Sequence, residues 1–169
     1  MRSRNAKGPA PAGRGTVIAA GARVPFSRAG SDYRELVAYD LARMALAGLL
    51  ARADLSGDEV DQVVMGTVVQ NVATSNVARD AALAAGVPDG VPAHTVTLAC
   101  ISSNRAISDA VLAIWAGHAE VVLAGGVEML GDVPVGFKRE VRRRFFDSRR
   151  YKGLKDWPAF FKGLKLKDL

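Results

Sequence analysis

From Thr16 to Pro134 the chain alternates short apolar runs with longer stretches of helical spacing. "TVIAAG", residues 16–21, reads as a short apolar strand, closed by Gly21 and by Pro25 of "ARVPF". A helix is expected from about Leu36 to Arg52, where Val37, Leu41, Met44 and Ala45 recur at i, i+4, i+7 and i+8 and mark a buried face. "VDQVVMGTVV" is a second strand, with Gly66 at a position where another backbone can approach closely. "SNVARDAALAAG" is a helix capped by Ser75 and stopped by Gly86. "AHTVTLA" is a third strand, followed by a helix from about Ser102 to Ala116 whose apolar face is Ile107, Ala110, Val111, Ile114 and Trp115. "EVVLAGGVE" is a fourth strand. Strand and helix alternate without an internal repeat, through connections short enough to require crossovers, so the expected fold is a layered α/β domain with a mostly parallel sheet.

Both ends depart from this rhythm. Residues 1–15, "MRSRNAKGPAPAGRG", lack apolar core residues and read as a disordered basic leader. Such a start permits an organelle transit peptide, but no amphipathic face is visible in it. The expected location is therefore the cytoplasm, with peripheral membrane contact, ahead of the mitochondrion. Residues 135–169 interleave Lys and Arg with Phe, Trp and Leu, broken by Gly153 and Pro158 into short helices. They read as an inserted or appended basic amphipathic segment. The α/β domain itself is assigned to residues 16–134.

Charge sharpens that division. The net +6 separates into +4 over residues 1–15, −6 over residues 16–137 and +8 over residues 138–169. An acidic body between basic ends is not the pattern of a nucleic-acid-binding domain, which carries its basic surface on the fold. The single cysteine excludes an internal disulfide framework, and the scarcity of Cys and His argues against a structural zinc site. No apolar run approaches the roughly 20 residues that a membrane-spanning helix needs.

That cysteine, Cys100, closes the third strand and opens the helix that follows. A free cysteine is by default a small buried hydrophobe. At a strand-to-helix turn, however, the apex side chain emerges at the carboxyl edge of a parallel sheet, where such folds place their sites. The positive end of the helix dipole and the open amides of the first turn favour thiolate there. On position alone, an inert thiol and a nucleophile both remain open.

The neighbouring residues carry a resemblance. "VTLACISSNRAISDAVLAI" resembles the acyl-enzyme signature of thiolases through Val96, Thr97, Cys100, Ile101, Ser102, Ser103, Ala106, Ile107 and Ile114. Many members have Gly where this chain has Ser103; the Ser-Ser-Asn version, ending at Asn104, resembles the long-chain, trifunctional-complex type. "GARVPF" is similar to the opening strand and turn of thiolases. "MGTVVQNVATSNVARDAALAAGVP" is similar to their second strand, dimer-contacting loop and following helix. "VVLAGGVEML" is similar to their Ala-Gly-Gly-x-Glu-x-Met segment, with Met129 followed by Leu130 and Gly131 where the family often has Met-Ser. The basic tail resembles the start of the family's loop domain, a region tied to membranes or to the partner subunit.

The resemblance implies the amino-terminal half of a layered α-β-α thiolase, with Cys100 as nucleophile in thiolytic cleavage of a 3-oxoacyl-CoA or the reverse condensation. Coenzyme A is implied as substrate, and no cofactor or metal. The family's base histidine, water-holding asparagine and second cysteine belong to the other half, so the chain is expected to be inactive by itself. His94 and His118 read as structural or solvated. Implied partners are acyl-CoA and CoA, a second copy in a homodimer or larger assembly with a hydroxyacyl-CoA dehydrogenase/hydratase-type subunit, and a membrane surface through residues 137–167; nucleic acid is not among them. Around the site, Asn76 and Arg79 either order a nearby loop or make surface contacts. Gly125 and Gly126 serve close approach or a simple turn. Glu128 braces that turn or is merely exposed. Two other readings stand beside the enzyme: a truncated, non-catalytic partner-binding fragment, and a condensing enzyme of the ketoacyl-synthase type.

Overall fold

The structure is a computed structural model that describes residues 15–162. The leader falls almost wholly outside them, as does the tail beyond residue 162. The chain divides into two compact units, Met1–Pro134 and Val135–Leu169.

The first unit contains α1 (Ala38–Arg52), β1 (Gln62–Gly66), α2 (Val77–Ala84), β2 (Ala93–Val96), α3 (Ser102–Trp115) and β3 (Val122–Gly126). The three strands form one parallel sheet in the order β2-β1-β3, with Val63 opposite both Ala93 and Leu123. A parallel sheet with helical crossovers is buried on both faces, which is why β1 is almost continuously apolar. Val63 and Met65 point into the main core, shared with Ala42, Leu46 and Leu50 of α1 and Val77, Ala78, Ala81 and Ala82 of α2. The intervening residue, Val64, is fully buried, and a side chain on Gly66 would run into the backbone of Ser102 in α3. The strand's two-residue period thus sorts α1 and α2 to one face and α3 to the other.

Three expectations need correction. No strand forms at residues 16–21, and Val17 and Ile18 are about four-fifths exposed, because the sheet offers this run no hydrogen-bonding partner among the described residues. On α1, only Leu41 of the expected quartet is buried; Val37, Met44 and Ala45 are half-buried, and the inward face is Leu41, Ala42, Leu46 and Leu50. On α3 the face turned to the sheet is small, Ala106 and Ala110, while Ile107 and Trp115 are exposed. Smaller differences concern helix ends. Asn76, not Ser75, caps α2, its side-chain oxygen accepting from Arg79 N at 3.2 Å. Gly86 does follow that helix in a left-handed conformation (φ 92°), the position a C-terminal glycine favours.

The second unit contains α4 (Arg139–Ser148) and α5 (Trp157–Phe161). Pro158 opens α5 rather than breaking a helix, since a proline in the first turn removes an amide that has no partner anyway. Phe145 packs edge-on and Trp157 tilted against Phe160, with ring centroids 4.9 and 5.8 Å away, and Arg144 Nη1 donates to the carbonyls of Phe160 and Lys162 at 2.6 and 2.7 Å.

The contact between β1 and α3 yields a test. Gly66→Ala places a methyl group against rigid helix backbone and should lose about 1–3 kcal/mol by urea denaturation, as overpacking does. Gly90→Ala, with open space around the position, should change stability by less than about 0.5 kcal/mol.

Candidate active site

Cys100 is a free, exposed thiol in the turn between β2 and α3. The turn is wound tightly. Ala99, just before it, has φ 46°, a left-handed conformation uncommon for residues with a side chain. Ser102, in the first turn of α3 and almost fully buried, accepts from Leu98 N at 2.8 Å and donates to Ala99 O at 2.7 Å. Ile101 N and Ser102 N donate back to Leu98 O and Ala99 O, both at 3.2 Å. Buried polar groups need partners, and here they find them in the turn's own backbone.

This turn lies beside a cavity of about 710 Å³ lined by Phe26, Thr67, Cys100, Ser103, Gly126 and Glu128, among others. Its size falls in the range of small-molecule sites, roughly 300–1,000 Å³. The cavity sits at the carboxyl ends of β1 and β3 and the start of α3. Gly126 brings the first turn of α3 close, since a side chain there would strike Ser103 Oγ. Gly125 has its open position against Met65 at an ordinary 3.6 Å. The two glycines therefore do different things: Gly126 admits the first turn of α3, and Gly125 packs on the core side of the sheet.

Glu128 is exposed yet engaged. Its carboxylate accepts from Val68 N at 2.8 Å, Val69 N at 3.0 Å and Thr67 Oγ1 at 3.3 Å. It braces the loop after β1, not the turn of its own strand. Asn76 and Arg79 do not line the cavity. Asn76 accepts from Thr95 Oγ1 at 2.8 Å and donates to Ala93 O at 3.1 Å, which pins α2 to β2. Arg79 donates to Val91 O at 2.8 Å and Asp89 O at 2.7 Å, closing the loop that leads into β2 rather than pairing with a surface acid. Asn104 is exposed, and its carbonyl accepts from Ser108 Oγ at 3.0 Å. His94 on β2 is half-buried and His118 exposed; neither lines the cavity.

Two features of the site escaped the sequence. Ala99's left-handed backbone has no signature, because an alanine announces nothing. Thr97 stands within the quoted motif, but its bonds do not follow from the motif: Oγ1 donates to Thr67 O at 2.7 Å and accepts from Gln70 Nε2 at 3.0 Å.

Comparison with known proteins decides the lineage. The family profile "Thiolase, N-terminal domain" matches residues 16–157. The chain belongs to the thiolase family. It is 51% identical over 138 residues to the mitochondrial trifunctional enzyme subunit beta of Rattus norvegicus, covering 82% of this chain and 29% of that protein. It is 32% identical over 153 residues to the 3-ketoacyl-CoA thiolase of Yersinia pestis, covering 90% of this chain and 35% of that one. The crystal structure of the Bacillus anthracis acetyl-CoA acetyltransferase superposes with a TM-score of 0.70 at 38% identity, over 72% of this chain and 31% of that one. This thiolase-family chain therefore spans about a third of the length of these relatives. The match to a subunit named as mitochondrial overturns the cytoplasmic location expected from composition.

Ala99 supplies a test of the turn. Ala99→Gly should stabilise the protein by about 0.5–1 kcal/mol, because glycine adopts φ 46° without steric cost. Ala99→Val, β-branched, should destabilise it by more than about 1 kcal/mol, both read by urea denaturation.

Proposed function

We propose that this chain is the nucleophile-bearing part of a mitochondrial thiolase that cleaves 3-oxoacyl-CoA. The observation that carries this reading is an exposed thiol at a β-to-α turn, set against a ligand-sized cavity, in a chain whose relatives are named as thiolases and as a trifunctional enzyme subunit. In the first step Cys100 Sγ, as thiolate, bonds to the C3 carbonyl carbon of the substrate. The C2–C3 bond then breaks, its electron pair leaves on C2 of the acetyl-CoA enolate, and C2 takes a proton. In the second step the sulfur of free CoA attacks the thioester, the shortened acyl-CoA departs, and Cys100 regains a proton. Passing through a thioester divides one difficult step into two easier ones.

The chain's own groups suit part of this work. The Cys100 turn holds the sulfur outward at the cavity wall, and the amino-terminal end of α3 offers a positive field to developing oxyanion charge. A base in contact with Cys100 is not among the described residues lining the cavity, so proton transfer is assigned to groups beyond this chain. The chain alone should then form a thioester slowly and not turn over.

A second reading concerns the second unit. Arg139, Arg142 and Arg143 are exposed on α4 beside exposed Phe146, and Phe161 is exposed on α5. That combination of cations and aromatics suits an anionic membrane surface. The expected assembly partners remain a second copy and a dehydrogenase/hydratase-type subunit.

Incubation of the chain with acyl-CoA should add one acyl mass to Cys100, released by hydroxylamine and absent from Cys100→Ala. An unmodified thiol under conditions that label a full-length thiolase would overturn the reading. Sedimentation with anionic vesicles should exceed that with zwitterionic vesicles by at least roughly tenfold at low salt and fall as salt rises; equal binding to both would remove the membrane assignment.

A further inference from the structure

The bonds around Glu128 extend beyond the loop they brace. Three strand ends are tied together beside the cavity: Val127 N donates to Gly66 O at 2.9 Å, and Thr67 N donates to Val96 O at 3.1 Å, continuing the ladders of β3 to β1 and β1 to β2. Past these bonds the backbone leaves the sheet, and side chains take over. The Glu128 carboxylate gathers Thr67 Oγ1 and the amides of Val68 and Val69. The carbonyl of the same Thr67 accepts from Thr97 Oγ1 at 2.7 Å. Thr97 adjoins Leu98, whose amide and carbonyl bond Ser102 Oγ and Ile101 N, so that Leu98 on one side of Cys100 is tied to the two residues on its other side.

We propose that Glu128 is a positioning residue for Cys100, acting through Thr67 and Thr97 to fix the nucleophile's turn against the cavity. A carboxylate accepting backbone amides makes the stronger kind of hydrogen bond, so it holds the loop where a residue with no acceptor would let it move. Thr67 is the hinge of the relay, because its side chain answers to Glu128 and its carbonyl to Thr97. Almost fully buried, it is poorly placed to exchange either partner for water. The consequence for acyl transfer rests on the reading of Cys100 given above; the mechanical coupling does not.

The fold contains its own control. Asp61 accepts from Glu120 N at 2.8 Å and Val121 N at 3.1 Å, the same kind of carboxylate latch at the opposite end of the sheet. Amide hydrogen exchange at Leu98, Ile101 and Ser102 should therefore quicken at least about tenfold in Glu128→Ala and little in Asp61→Ala. Glu128→Gln, whose amide oxygen still accepts, should restore most of the protection. In a Thr97→Val background, Glu128→Ala should alter exchange at these three amides by less than about twofold, because the relay is already cut. Should Glu128→Ala fail to fold, Glu128→Gln with and without Thr97→Val gives the same comparison at smaller amplitude. The proposal is overturned if the effect stays at Val68 and Val69, or if Glu128 and Thr97 act additively. In the chemical arm, Glu128→Ala should slow thioester formation on Cys100 by about tenfold or more, with alkylation by iodoacetamide changed less than about twofold. A native chain that takes no acyl group sinks the acyl-transfer reading, while the exchange cycle still reports on the coupling.

Discussion

The close approach of the first turn of α3 to the ends of β1 and β3 is the constraint on which the rest of the first unit depends. It requires bare backbone at Gly66 and Gly126, since a β-carbon at either would occupy the space of Ser102 or Ser103. Once the helix end is seated there, the chain arriving from β2 has only a few residues in which to reverse. Ala99 takes up the left-handed conformation and Ser102 ties the turn to its own carbonyl and amide. The exposure of the sulfur follows from this geometry, because residues on the inside of so tight a turn are occupied by backbone hydrogen bonds. The cavity is the other side of the same arrangement: strand ends, a helix start and the loops after them diverge around a shared point.

Much of this was legible, and the reasons are specific. The alternation of apolar runs with helical spacing located β1, β2, β3 and the helices between them, because parallel strands buried on both faces need near-continuous apolar sequence. The strand-to-helix junction at Cys100 was legible, and the structure exposes the thiol there beside a cavity; so was Gly66 as a point of close backbone approach. Illegible were features set by tertiary partners. The apolar run at residues 16–21 has the composition of a strand, but a strand is defined by its hydrogen-bonding neighbour, which composition does not supply.

The error on α3 is more instructive. Periodicity identifies an apolar stripe that includes Ile107, Ile114 and Trp115 as the expected core face. The helix instead turns Ala106 and Ala110 to the sheet, since only small residues let it sit low enough for Ser102 and Ser103 to reach the glycines. The demands of the site thus choose the packing face of the helix, and volume is sacrificed there for proximity. Glu128 shows the same principle for a polar group: the motif marks a glutamate next to a glycine pair, yet its partners lie about sixty residues earlier in the chain.

The exposed side of α3 then acquires meaning. Ile107, Leu112 and Trp115 are between two-fifths and two-thirds exposed on a helix whose other side packs tightly. A helix apolar on both sides belongs between two layers, and scattered surface hydrophobics do not normally align along one element. The relatives are about three times as long as this chain, and Cys100 stands just before the amino-terminal end of α3. A layer laid over this face would bear directly on the helix whose seating sets the Cys100 turn. The helix that follows Cys100 thus presents small residues to the sheet and large ones outward, so structure laid over its outer face would press on the same turn that holds the thiol.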